Sequence, residues 1–111
     1  DGGLVAPVPV GQAREMGAEV VLAIDISADP QDLPSNGLFS LLPKTTAIMG
    51  QSINRLELAR ADVVVRPSLA GVGSADFAAR QRSIEAGRVA MQAALPRLKQ
   101  LLARWRPVES R

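Results

Sequence analysis

Three short stretches of this 111-residue chain carry residue types that could do chemistry. Asp1-Gly2-Gly3 sets a carboxylate on a glycine turn, where small neighbours let a substrate or a second side chain come close enough for the carboxylate to act as a base. The same three residues also suit an ordinary Asx turn. Gly50-Gln51-Ser52-Ile53-Asn54 is a near miss to the nucleophile elbow, which needs a strand running into a strained turn and then a helix. Here Asn54 stands where the last glycine belongs, and the residues sit inside a helical pattern, so Ser52 is not expected to be a nucleophile. Gly71-x-Gly73 lacks the third glycine and the lysine of a phosphate cradle and reads as a helix entry turn.

The inventory around these stretches is restrictive. There is no cysteine, histidine or tyrosine, and 47% of the residues are hydrophobic while only 3% are aromatic, namely Phe39, Phe77 and Trp105. The usual zinc and copper sites, disulfides, thiol catalysis and any imidazole base are therefore excluded within the chain, and with them a complete Ser-His-Asp hydrolase. Neither a metal nor a cofactor is expected. The longest apolar run, Val20 to Ile24, is far short of the ~20 residues that span a bilayer. The segment is expected to be soluble or at most peripheral. Starting on Asp1 without a leader pattern, it reads as a fragment or a processed product.

Charge is unevenly placed, although the net charge is only +2. Most of the acidic groups precede residue 80, whereas Arg80, Arg82, Arg88, Arg97, Lys99, Arg104, Arg106 and Arg111 crowd the C-terminal third. Such a block reads as a solvated helix face, and it could also attract phosphates or anionic headgroups. No aromatic interleaving or reader motif accompanies it, so nucleic acid is not an expected partner.

The elements that must position these residues follow from pattern. Pro7 and Pro9 impose extended backbone after the glycine turn. A short helix over about Val10 to Met16 ends at Gly17 in a left-handed conformation. Glu19 to Ile26 is nearly continuous in aliphatic residues and predicts a strand buried on both faces. Residues 27–44 are assigned to a surface loop, its 27–37 part rich in breakers. Apolar spacing then predicts a helix from about Thr45 to Ala59, and Ala61 to Pro67 a second short strand. After the glycine turn, with Ser74 or Asp76 as cap, comes a helical region over 76–106. Its Ile84, Met91, Leu95, Leu98, Leu102 and Trp105 form one apolar stripe, expected to pack in the core; Trp105 between Arg104 and Arg106 also suits a membrane-lying helix. Pro96 either kinks this helix or opens a second one. The order is that of half an α/β sandwich, and two strands leave both sheet edges open, so further strands are expected from elsewhere.

Taken in order, Asp1-Gly-Gly-Leu-Val-Ala-Pro-Val-Pro-Val10, Ala13 to Asp25, Ala61 to Pro67, Ser74-Ala-Asp-Phe77 and Ile84-Glu-Ala-Gly87 resemble the C-terminal half of the bacterial patatin-like phospholipases. The blocks span nearly the whole chain, and Asp-Gly-Gly is the most specific. Ala6 departs from the pattern, since the family often has Asn there. The resemblance implies a three-layer α/β/α fold of which this chain is the C-terminal part of a single domain. It implies a serine acyl hydrolase with a Ser-Asp dyad and no histidine, in which Asp1 is the catalytic aspartate and Gly2 and Gly3 shape its turn. The nucleophilic serine and the oxyanion loop would lie on an upstream segment of the same domain, so the chain alone is expected to be inactive. Partners implied are a lipid or small acyl ester and that missing segment, in the bacterial cytoplasm or cell envelope.

A reading from another class stays beside it. The chain could be a non-catalytic α/β module that binds a membrane surface or a protein partner through its basic C-terminal helix.

Overall fold

The computed structural model describes residues 2–73 and 75–105. Its helices are α1 (Val10–Glu15), α2 (Leu38–Leu58) and α3 (Arg80–Arg104), and its strands are β1 (Leu22–Ile24) and β2 (Val63–Val65). Single 3-10 turns lie at Gly2–Leu4, Pro30–Asp32 and Phe77–Ala79. The strands are parallel, with Leu22, Ala23 and Ile24 in register with Val63, Val64 and Val65. A parallel pair needs a long crossover, and α2 supplies it. The chain is thus a mixed helix and strand unit of α/β type.

Each helix covers one part of the small sheet. Val10 of α1, Val21 and Ala23 form the buried cluster, with Val8, Ala13, Ala18, Leu58 and Ala61 packed on it. Val63 and Val65 are buried at 6% and 2% exposure; strand alternation turns them away from Val64, and α3 packs on β2. Burying each valine contributes roughly 1.5–3 kcal/mol. The strands are nevertheless not enclosed on both faces as the aliphatic run predicts: Ile24, Ile26 and Val64 remain 54%, 69% and 40% exposed. The two strands and three helices among the described residues leave too little surface to cover both sides.

Three further expectations change. The loop assigned to residues 27–44 ends at Gly37, because α2 begins at Leu38 rather than near Thr45. Pro43 lies inside that helix, where it removes one backbone bond without breaking the run. Gly37, at φ +96°, starts the helix, and Ser40 Oγ donates to its carbonyl at 2.7 Å. At the other end of the chain, α3 runs unbroken through Pro96, and none of its residues is buried. Its apolar stripe therefore lies against the sheet and in solvent rather than in a core. The cap of the 3-10 turn before α3 is Asp76, which accepts from the Ala79 amide at 3.2 Å; Ser74 and Arg106 lie outside the described residues.

The molecule is long, 60 × 29 × 19 Å, with a radius of gyration of 16.5 Å against about 13 Å for a compact chain of this length. The cause is a mismatch of lengths. Asn54 of α2 stands beside Ser27, just beyond the end of β1, so the preceding part of the helix overhangs the sheet by about 24 Å. Leu38, Phe39 and Leu42 sit on that overhang at 81%, 92% and 69% exposure.

Candidate functional site at the carboxyl ends of the strands

Asp1 lies outside the described residues. The glycines after it form a 3-10 turn, in which the Gly2 carbonyl accepts from the Val5 and Ala6 amides at 3.1 and 2.9 Å. Neither glycine takes a left-handed conformation, so backbone freedom is not what the turn draws from them. At Gly2 an added Cβ would meet nothing within 4 Å, so close packing does not call for glycine there either. The turn packs against α2. Just after it, Pro7 sits 3.8 Å from where a Cβ on Gly50 would be. Gly50 is one turn ahead of Asn54, so this contact falls beyond the carboxyl ends of β1 and β2, the usual place for ligands in open α/β sheets.

Ser52 is exposed in mid-helix and donates to the Ile48 carbonyl at 3.3 Å, which leaves it outside any strand-turn-helix elbow. Gly71 is left-handed at φ +72° and turns the chain toward α3, as a helix entry turn should. The basic face of α3 is mostly solvated, with Arg88 paired to Glu85 one turn earlier. That pair holds Glu85 below its ordinary value, first through the hydrogen bond from Arg88 and then through its charge. Trp105 is partly covered and donates from Nε1 to Glu19 at 2.9 Å, tying the end of α3 to the entry of β1. Among the described residues no group of acidic side chains could hold a metal, and no helix is long and apolar enough to cross a membrane.

The sequence does point to a polar pocket, though through residues given no role above. Register sets the first residue beyond β1, Asp25, opposite the first beyond β2, Arg66. Arg66 grips Asp25 Oδ2 through Nε and Nη2 at 3.0 and 2.7 Å. Burial at 5% exposure pushes the Asp25 carboxyl up. Hydrogen bonds from the Ser27 side chain and amide and from Arg66 outweigh this and hold it below 3.8, so it stays ionised. Ser27 Oγ in turn accepts from Asn54 Nδ2 at 2.6 Å. Asp25, Ser27, Asp29, Asn54, Arg55 and Arg66 border a cavity of about 320 Å³.

The useful signal was the position of the charges. Each apolar run ends on an ionisable residue, Ile24-Asp25 and Val65-Arg66, and a charge just past a strand end is a candidate for pairing across a parallel sheet. Asn54 gave no such signal, since its burial depends on where α2 crosses β1.

No protein-family model matches the chain.

Proposed function

We propose that this chain is the aspartate-bearing part of a patatin-type serine acyl hydrolase, with the nucleophilic serine on an upstream segment of the same domain in a three-layer α/β/α fold. The observation that carries the reading is the Gly2–Leu4 turn, which follows Asp1 in the sequence and packs on the crossover helix of a parallel strand-helix-strand unit. Open space at Gly2 supports it, because a serine and an ester must both approach Asp1. So does the uncovered sheet, whose exposed Ile24 and Val64 suit a larger domain.

In this mechanism the Asp1 carboxylate takes the proton of the serine hydroxyl as Oγ attacks the ester carbonyl. The tetrahedral intermediate collapses to an acyl-enzyme with loss of the alcohol, and water then releases the acid. No histidine, metal or cofactor takes part. The substrate is a lipid or a small acyl ester.

The test is ester hydrolysis by the full-length protein and its Asp1→Asn variant, which preserves shape but not basicity. Loss of at least about a hundredfold in kcat with unchanged thermal stability is the expected result, in the range of general-base catalysis. Retained activity in the variant would sink the reading.

A further inference from the structure

We propose that the exposed face of α2 is an interface for a second copy of this chain, packed antiparallel to the first across a two-fold axis level with Ala47. The interface uses neither Asp1 nor the esterase reading and stands or falls separately from them.

The starting point is a spacing. Leu38, Leu42, Thr45, Met49, Ser52 and Leu56 follow one another at alternating steps of four and three residues, and all of them are exposed. This is the repeat of a coiled-coil seam, and it keeps one stripe in line along α2 for about 27 Å. Asn54, which is buried, and Leu58, which packs on the core cluster, lie on the opposite side of the helix. One side of α2 therefore serves the fold, while on the other Leu38, Leu42, Met49 and Leu56 remain 81%, 69%, 63% and 74% exposed. Contiguous apolar surface of this kind marks an interaction site. The two polar members do not interrupt the seam. Thr45 Oγ1 donates to the Leu41 carbonyl at 2.8 Å and Ser52 Oγ to the Ile48 carbonyl at 3.3 Å, so both hydroxyls can be covered without losing a partner.

Symmetry selects the occupant. Turning α2 end for end about Ala47 sets Leu38 against the partner's Leu56, Leu42 against the partner's Ser52 and Thr45 against the partner's Met49, with an apolar group in every layer. A parallel pair would instead stack Thr45 on Thr45 and Ser52 on Ser52, leaving two layers without one. The flanks of the antiparallel pair also match: Ile48 meets its own copy near the axis, Phe39 falls beside the partner's Ile53, and Leu41 lies under the stem of the partner's Arg55. Lys44 and Arg55 are the only charges from Leu38 to Leu56, and this packing sets no like charges together. The sheet lies toward the carboxyl end of α2, where Asn54 meets Ser27, so the bodies of the two copies fall at opposite ends and do not collide. With Phe39, Leu41 and Ile48 also exposed, the apolar side chains of the face remove roughly 60–120 Å² each when buried. That gives about 400–800 Å² per copy, against roughly 800 Å² for a standard interface. A lipid surface fits less well, since helices that lie in one carry a Lys- and Arg-rich polar face, whereas the other side of α2 is packed on the protein.

Sedimentation velocity of the full chain from about 1 to 200 µM should show a concentration-dependent dimer. Met49→Lys buries an ammonium without a partner in two symmetric layers and should weaken the dimer at least about tenfold. Gln51→Lys adds the same charge off the seam and should leave it unchanged; both positions are exposed, so both variants keep the fold. Orientation is read by cross-linking, because the chain has no cysteine of its own. A short bismaleimide should join Ile48→Cys to its copy and should not join Leu38→Cys, which antiparallel packing holds about 27 Å from its counterpart. A monomer at every concentration, equal dimerisation of Met49→Lys and the parent, or cross-linking of Leu38→Cys in preference to Ile48→Cys overturns the proposal. So does a monomer captured by phosphatidylglycerol vesicles, which assigns the face to a lipid surface.

Discussion

Arg14 and Asp62 meet at 2.7 Å, Nη2 to Oδ2, and the same carboxylate oxygen accepts the Val21 amide at 2.8 Å. One contact therefore joins α1, the entry of β1 and the entry of β2. Arg14 completes the junction by donating to the carbonyls of Ala18, Glu19 and Arg60 at 3.3, 2.6 and 2.9 Å. Because the guanidinium forks where an ammonium is a point, Arg14→Lys should lose most of what Arg14→Met loses. Side-chain exposures of 25% and 30% screen the pair in part, so the expected cost is about 2 kcal/mol, toward the lower part of the range for hydrogen bonds to charged groups. Urea denaturation measures it; a variant within experimental error of the parent would show that the junction is not stabilising.

Acid should weaken the fold through Asp25 and Asp62. Asp62 is held below 3.8, first by the Val21 amide, against opposing desolvation, and then by the Arg14 hydrogen bond and the charges of Arg14 and Arg97. Asp25 is held below the same value although burial opposes it. A depressed folded-state pKa means that the unfolded chain takes up protons first. The contribution is thus complete above 3.8 and is lost as pH falls through the folded-state values. Thermal midpoints recorded from neutral pH downward should drop below about pH 4, and Asp62→Asn should drop less steeply. Parallel pH profiles for the two proteins would contradict this.

Gly17 and Gly2 should respond differently to alanine. Gly17 closes α1 at φ +95° with open space around it, so the whole cost of Gly17→Ala is conformational and should reach about 1 kcal/mol. Gly2→Ala meets no atom and no left-handed backbone, and stability should stay within about 0.5 kcal/mol. The comparison is made by denaturation midpoints, and equal effects would show that the φ of Gly17 is not what its glycine provides.

Pro96 is exposed within α3, where it withholds one helical hydrogen bond. Pro96→Ala should restore that bond and raise stability by about 1–3 kcal/mol, the scale of an interior proline. A higher melting temperature with increased helical circular dichroism is the expected result. A lower melting temperature would mean that the proline ring supplies packing worth more than the bond.

Much of the local structure follows from pattern. Gly17 marks the end of α1 because few residues other than glycine tolerate its conformation, and the two aliphatic runs locate β1 and β2, although each strand keeps only three residues of the run that predicted it. The start of α2 did not follow: Pro43 suggests a break, whereas Leu38, Phe39, Leu41 and Leu42 are helix formers, and the Thr45 and Thr46 hydroxyls bond back to Leu41 and Leu42. The stripe on α3 gave periodicity correctly and burial incorrectly, because a stripe specifies which side faces the protein and not how much protein is there.

By itself the sequence determined the chemistry available to this chain: carboxylates, guanidinium groups, amides and hydroxyls, with no thiol or imidazole, on alternating helices and strands. Residue types and local backbone preferences act over a few neighbours, so they are legible without a fold. Only the tertiary structure decided which of these groups meet. Parallel register brought Asp25 to Arg66 across 41 positions, and the crossing of α2 over β1 buried Asn54 beside Ser27. Such contacts depend on how elements pack at a distance, which is why the pocket, unlike the Asp-Gly-Gly turn, has no linear motif.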